Sequence, residues 1–117
     1  MSRIFFVFMF SLLFVGCSEA QSAKSGVVNK VVSPAQFKEL MKNKDVQIID
    51  VRTADEFNQG YIPNAVNIDF YGSNFEAEMN KLDKNKPVVI YCKSGGRSGK
   101  ALSMMKDMDF TTVLELE

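Results

Sequence analysis

The sequence contains no histidine, and that single absence removes several chemistries at once. Cys-His and Ser-His-Asp catalysis need an imidazole base, and most zinc sites need imidazole ligands. A nucleophile in this chain must therefore be activated by backbone dipoles or by lysine and arginine. A charge imbalance is lacking too, because 14 Lys and Arg face 14 Asp and Glu. Net charge thus gives no reason to expect nucleic acid or an acidic surface as partner. Cysteine is scarce, with two copies, Cys17 and Cys92. Internal repeats and low-complexity stretches are missing. At 117 residues there is room for one domain of ordinary size, and neither a metal nor a cofactor is expected.

A long hydrophobic run is also lacking. The most apolar stretch, Ile4 to Leu13 after Met-Ser-Arg, falls short of the roughly 20 residues a membrane span needs. A basic start, a short apolar stretch and a small residue before the cut describe a secretory signal peptide over residues 1–16. The other reading, a buried core helix, fits poorly with a segment dominated by Phe and lacking a polar face. Phe14-Val15-Gly16-Cys17 resembles the bacterial lipoprotein cleavage motif, with Phe14 in place of the usual Leu. That resemblance implies lipidation of Cys17, a polar tether over 17–30, and a protein held at a bacterial membrane on its periplasmic or cell-surface side. Loss of Arg3 with the leader leaves 13 basic against 14 acidic side chains. A Cys17–Cys92 disulfide is the alternative for an even cysteine count in an exported chain.

From Val27 onward, β-rich runs alternate with amphipathic stretches. Val27 to Val32, Val46 to Val51, Ala65 to Ile68, Pro87 to Tyr91 and Thr111 to Leu116 read as strands, with the proline tolerated at a first strand position. Ser33-Pro34 opens a helix with Phe37, Leu40 and Met41 inward. Thr53 caps a short turn, with Glu56 completing a capping box. Ser73 to Leu82 and Ser98 to Met108 are further helical segments. Strands alternating with helices imply an α/β fold, with a mostly parallel sheet covered on both faces.

The chemistry concentrates in V-V-I-Y-C-K-S-G-G-R-S, Val88 to Ser98. A buried strand ends at Cys92, a glycine-containing loop follows, and a helix begins near Ser98. Reactive sites in open α/β sheets lie at the carboxyl ends of strands. Gly95 and Gly96 allow positive φ and close approach. The amides of Lys93 to Ser98 can converge on the Cys92 sulfur, and the helix dipole, Lys93 and Arg97 all favour thiolate. The bland alternative is an inert, buried cysteine at a strand end.

C-K-S-G-G-R-S resembles the C-x-x-G-x-R-S active loop of the rhodanese superfamily. Asp50 to Ile68, D-V-R-T-A-D-E-F-N-Q-G-Y-I-P-N-A-V-N-I, resembles the family's D-V-R-x-x-x-E-[FY]-x-x-G-H-I-P-x-A-x-N-I block, with Tyr61 in place of the common His. The likeness runs from Val31 to residue 117. It implies a three-layer α/β/α domain over residues 31–117, and a Cys92 that carries sulfane sulfur as a persulfide. It further implies that Lys93, Ser94, Gly95, Gly96, Arg97 and Ser98 form the binding loop, with Lys93 and Arg97 attracting anionic donors such as thiosulfate. Asp50 and Arg52 are expected to brace that loop, while Glu56, Gly60, Pro63 and Asn67 serve as cap, turn and strand entry. The implied partners are a small sulfur-containing anion or a protein persulfide or thiol. Four residues separate Cys92 from Arg97, one fewer than in phosphatases of this fold, which favours sulfur over phosphate or arsenate. A non-catalytic module binding an anion or a protein is the alternative from another class. Family members usually continue past this point into G-G-I and a terminal helix. Without that helix, an exposed apolar patch is expected on one sheet face.

Overall fold

A computed structural model describes residues 27–117. The expected signal peptide, the lipidation site Cys17 and most of the 17–30 tether lie outside the described residues. Five strands and four helices alternate in the order β1 (Val27–Val32), α1 (Pro34–Leu40), β2 (Gln47–Asp50), α2 (Ala54–Asn58), β3 (Val66–Asn67), α3 (Phe75–Asn80), β4 (Val88–Tyr91), α4 (Gly96–Met105) and β5 (Thr112–Leu116). Residues 27–30, assigned above to the tether, therefore belong to the sheet, because β1 pairs with β5 from Val27 onward.

The helices start where the chain supplies caps. The Ser33 hydroxyl accepts from the Gln36 amide, and the Ser33 amide donates to the Gln36 side-chain oxygen, with Pro34 filling the first turn. Thr53 caps α2 by accepting from the Glu56 amide at 3.3 Å. The expected helix from Ser98 to Met108 instead runs from Gly96 to Met105. It begins early because Gly95, at φ +85°, turns the chain into the helix. It ends early in a turn that contains Asp109 at φ +63°.

The sheet is parallel throughout, in the order β1-β5-β4-β2-β3. Its middle strand is β4, and every residue from Val88 to Tyr91 is buried. Period-two alternation divides the core. Val88 and Ile90 face a cluster with Ile49, Val113, Phe75, Met79, Ala101, Leu102 and Met105, under α3 and α4. Val89 and Tyr91 face the opposite cluster, with Val32, Phe37, Ile48 and Leu114, under α1 and α2. This second cover is thinner, and Leu40, Met41, Phe57, Ile62 and Leu116 there are only partly buried. The exposed large apolar side chains, Val31, Tyr61, Val66, Tyr71 and Met104, lie on separate elements.

Candidate active site

Cys92 is the first residue after β4, at the carboxyl end of the central strand. It is a partly exposed free thiol. Its Sγ accepts from the amides of Gly95 at 3.0 Å and Ser98 at 3.4 Å, and lies 3.3 Å from the Ser98 hydroxyl. The expected convergence of amides on the sulfur is present. It depends on Gly95, whose φ of +85° few other residues tolerate. Gly96 does not share that conformation, contrary to the expectation for it. It opens α4 with ordinary helical geometry and open space where a Cβ would stand.

Burial pushes the Cys92 thiol up. The Ser98 hydroxyl and the amides of Ser98, Ser94 and Gly95 pull it down, and the downward effects win. The direction agrees with expectation, and the converging amides act as expected, whereas the contribution expected from Arg97 meets a counter-charge. Arg97 is not free. Its two terminal nitrogens each donate to one oxygen of Glu56 at 2.9 Å, and this pairing raises the arginine and lowers the carboxyl. Lys93 is exposed and makes no ion pair among the described residues, so it is the loop's uncompensated cation.

Glu56 therefore does not complete a capping box. Its amide is capped by Thr53, while its carboxylate reaches across the loop to Arg97 on α4. Asp50 and Arg52 also act differently from the expectation. Asp50 is fully buried and accepts from the Arg52 amide, Nε and Nη2, and Nη2 continues to the Gly60 carbonyl at 2.6 Å. None of these bonds reaches residues 92–98. The pair ties the end of β2 to the turn after α2. Asn67 reinforces the same corner by donating to the carbonyls of Asp50 and Arg52.

A groove of about 440 Å³ opens beside Cys92, between Arg52, Gly60, Tyr61, Ile62, Pro63, Tyr91 and Lys93. Tyr61 stacks on Phe57 with centroids 4.0 Å apart. The Tyr91 hydroxyl accepts from the Ile62 amide at 3.2 Å. One residue of the site was not singled out from the sequence. Glu115 on β5 accepts from the Ser98 hydroxyl at 2.6 Å. The signal lay in the alternation of T-V-L-E-L, which puts Glu115 on the same face as buried Val113, where a carboxylate needs a partner.

The fold and loop together define an α/β domain with a cysteine cradled at the end of its central strand. The model of the rhodanese-like domain matches residues 33–117, and the chain belongs to that family. A sulfurtransferase of Allochromatium vinosum is 33% identical over 90 residues, covering 77% of this chain and 82% of that protein. The thiosulfate sulfurtransferase GlpE of Coxiella burnetii is 31% identical over 87 residues, covering 74% and 79%. A tRNA uridine(34) hydroxylase of Ehrlichia chaffeensis is 31% identical over 107 residues, or 86% of this chain, but only 39% of its own length is matched. Among solved structures, a rhodanese-like domain protein of Staphylococcus aureus aligns with a TM-score of 0.63 at 34% identity, covering 73% of this chain and 82% of that one.

Proposed function

We propose that this chain is a rhodanese-type sulfurtransferase that carries a sulfane sulfur as a persulfide on Cys92. The observation that carries the reading is the Cys92 Sγ held by the Gly95 and Ser98 amides at the head of α4. In the proposed reaction the thiolate attacks the outer sulfur of a donor such as thiosulfate. The new sulfur–sulfur bond forms as the old one breaks, and sulfite leaves with its electron pair. Inward-facing amides stabilise the negative terminal sulfur. A thiophilic acceptor, cyanide or another thiol, then takes that sulfur and returns Cys92 as thiolate. Lys93 is the side chain placed to attract an anionic donor, since Glu56 already neutralises Arg97. The partner is a small sulfur-containing anion or a protein persulfide or thiol. The relatives named sulfurtransferases, matched over about four-fifths of their length, support this reading over hydroxylation. The hydroxylase relatives are matched over 29–39% of theirs.

Sulfur transfer from thiosulfate to cyanide, measured on the full chain carrying Cys17→Ala and on its Cys92→Ser variant, tests the proposal. Turnover in the first and none in the second is the expected result. Absence of persulfide on Cys92 by mass spectrometry, with thiosulfate or a protein persulfide as donor, leaves the domain as an anion- or protein-binding module. The same proposal places the protein at a bacterial membrane through acylation of Cys17, on the strength of residues 14–17. Incorporation of labelled fatty acid that disappears in Cys17→Ala is the expected outcome, and label retained in that variant refutes it.

A further inference from the structure

Ser98 touches both the nucleophile and a carboxylate. It is fully buried, with its Oγ 3.3 Å from Cys92 Sγ and 2.6 Å from Glu115 Oε1. A serine hydroxyl owns one proton and two lone pairs, so it cannot donate to both neighbours. The two contacts are unequal. Oxygen-to-carboxylate bonds of about 2.5–2.7 Å are charge-assisted and roughly twice as strong as neutral ones. The proton therefore lies toward Glu115, and Ser98 presents a lone pair to the sulfur. That lone pair accepts from a thiol S–H and repels a thiolate.

We infer that Glu115 is a positioning residue for Cys92: by claiming the single hydroxyl proton of Ser98, it withdraws one donor from the thiolate and leaves the sulfur to the backbone amides. This rests on the reading of Cys92 as the nucleophile. The downward pull of the Ser98 hydroxyl on the thiol operates only in the orientation that gives up Glu115. With the carboxylate charged, the thiolate is left to the amides of Ser94, Gly95 and Ser98.

The other charged groups around the sulfur do not offer the same control. Lys93 is exposed, Arg97 is clamped by Glu56 from α2, and Arg52 is taken by Asp50 at the end of β2. Glu117 stands at the margin of the neighbouring depression, where β1 contributes only the apolar Val31. Among these, Glu115 alone shares a hydrogen-bonding group with Cys92.

The test is the pH profile of Cys92 alkylation by iodoacetamide, with thiolate absorbance as a second readout, in the full chain carrying Cys17→Ala. Glu115→Gln keeps the shape of the side chain, and Glu115→Leu removes its acceptors. Each is expected to lower the midpoint by about one pH unit, giving about tenfold more thiolate below both midpoints. With Ser98→Ala added, the same substitutions should shift the midpoint less than half as far, because no hydroxyl remains to redirect. An unchanged midpoint in both single variants overturns the inference. So does an equal shift with and without Ser98, which is the mark of a through-space charge effect. Alkylation reads the thiol itself, so the result separates from the activity assay. Failed sulfur transfer with the expected titration counts against the sulfurtransferase reading alone, and normal transfer with an unmoved titration counts against Glu115 alone.

Discussion

Two carboxylates bracket the Cys92 loop, and they do opposite things. Glu56 comes from α2 and takes the guanidinium of Arg97 at the rim, with two bonds of 2.9 Å. Glu115 comes from β5 and takes the hydroxyl of Ser98 at the floor, with one bond of 2.6 Å. The rim contact cancels a charge and fixes the start of α4 in place. The floor contact leaves charge where it is and redirects a proton. A loop that looks rich in cations from its sequence is therefore governed mainly by backbone amides, with acidic residues from other elements setting how far they act.

The sharpest way to break this comparison is to remove the support of one side only. Asp50→Ala deletes a buried carboxylate whose partners hold Arg52 and, through Gly60, the turn after α2. Breaking such a buried pair costs about 3–5 kcal/mol. Chemical denaturation should show a loss of that order. In the surviving folded fraction, the Cys92 titration should stay near that of the parent, because the floor does not use α2. A large shift there would mean that rim and floor are one unit.

Next in size is Gly95→Ala, which forces an L side chain to φ +85°. The strain is about 1–2 kcal/mol, and relief of it moves the amide that lies 3.0 Å from the sulfur. Stability should fall by that amount and sulfur transfer by more than tenfold. Preserved transfer would show that the Ser94 and Ser98 amides suffice. Gly96→Ala, where a Cβ meets open space, is the control and should change little.

Glu56→Gln should cost about tenfold in kcat/KM, since one rim hydrogen bond and the charge pairing are lost while the floor remains. The pairing also predicts a pH dependence. The Glu56 carboxyl is lowered from its ordinary 4.5 in the folded protein. Its stabilising effect is thus complete above that ordinary value and is lost as pH falls through the lowered one. Acidification from about pH 5 to about pH 3 should lower Tm more in the parent than in Glu56→Gln. Equal losses would place the acid sensitivity elsewhere.

The smallest effect is expected for Tyr61→Ala. The ring is half exposed and stacks on Phe57, so the loss should be about 0.5–1 kcal/mol, at the low end for aromatic pairs. Thiosulfate turnover should persist. A marked rise in KM would instead make the tyrosine a wall of the donor groove.

What could be read from the chain beforehand follows from how far each interaction reaches. The β4 strand was visible because four apolar residues run together between Pro87 and Cys92. The starts of α1 and α2 were visible because Ser33 and Thr53 act on amides three residues away. The loop was visible because Cys92, Gly95 and Ser98 meet within seven consecutive residues. The partners of its side chains were not. Glu56 lies 41 residues from Arg97 and Glu115 lies 17 from Ser98, and no local pattern states which carboxylate closes on which donor. Glu56 sits three residues after Thr53, the spacing of a capping box. The stronger bidentate arginine contact took its carboxylate instead. The sequence shows the amides and the charges that act on Cys92, but not the Glu56 counter-charge that neutralises Arg97.

The pairing of β1 with β5 joins opposite ends of the described residues, with Val27 beside Thr112 and Val32 beside Leu116. Contacts so distant in sequence form late and slowly, because a long stretch of chain must be ordered first. Glu115 rides on that last strand. As the chain leaves the ribosome, β4, Cys92 and the head of α4 emerge while the carboxylate beneath them is still being made. In chain order, the cysteine and its amides therefore precede both the acid beneath them and the strand that carries it.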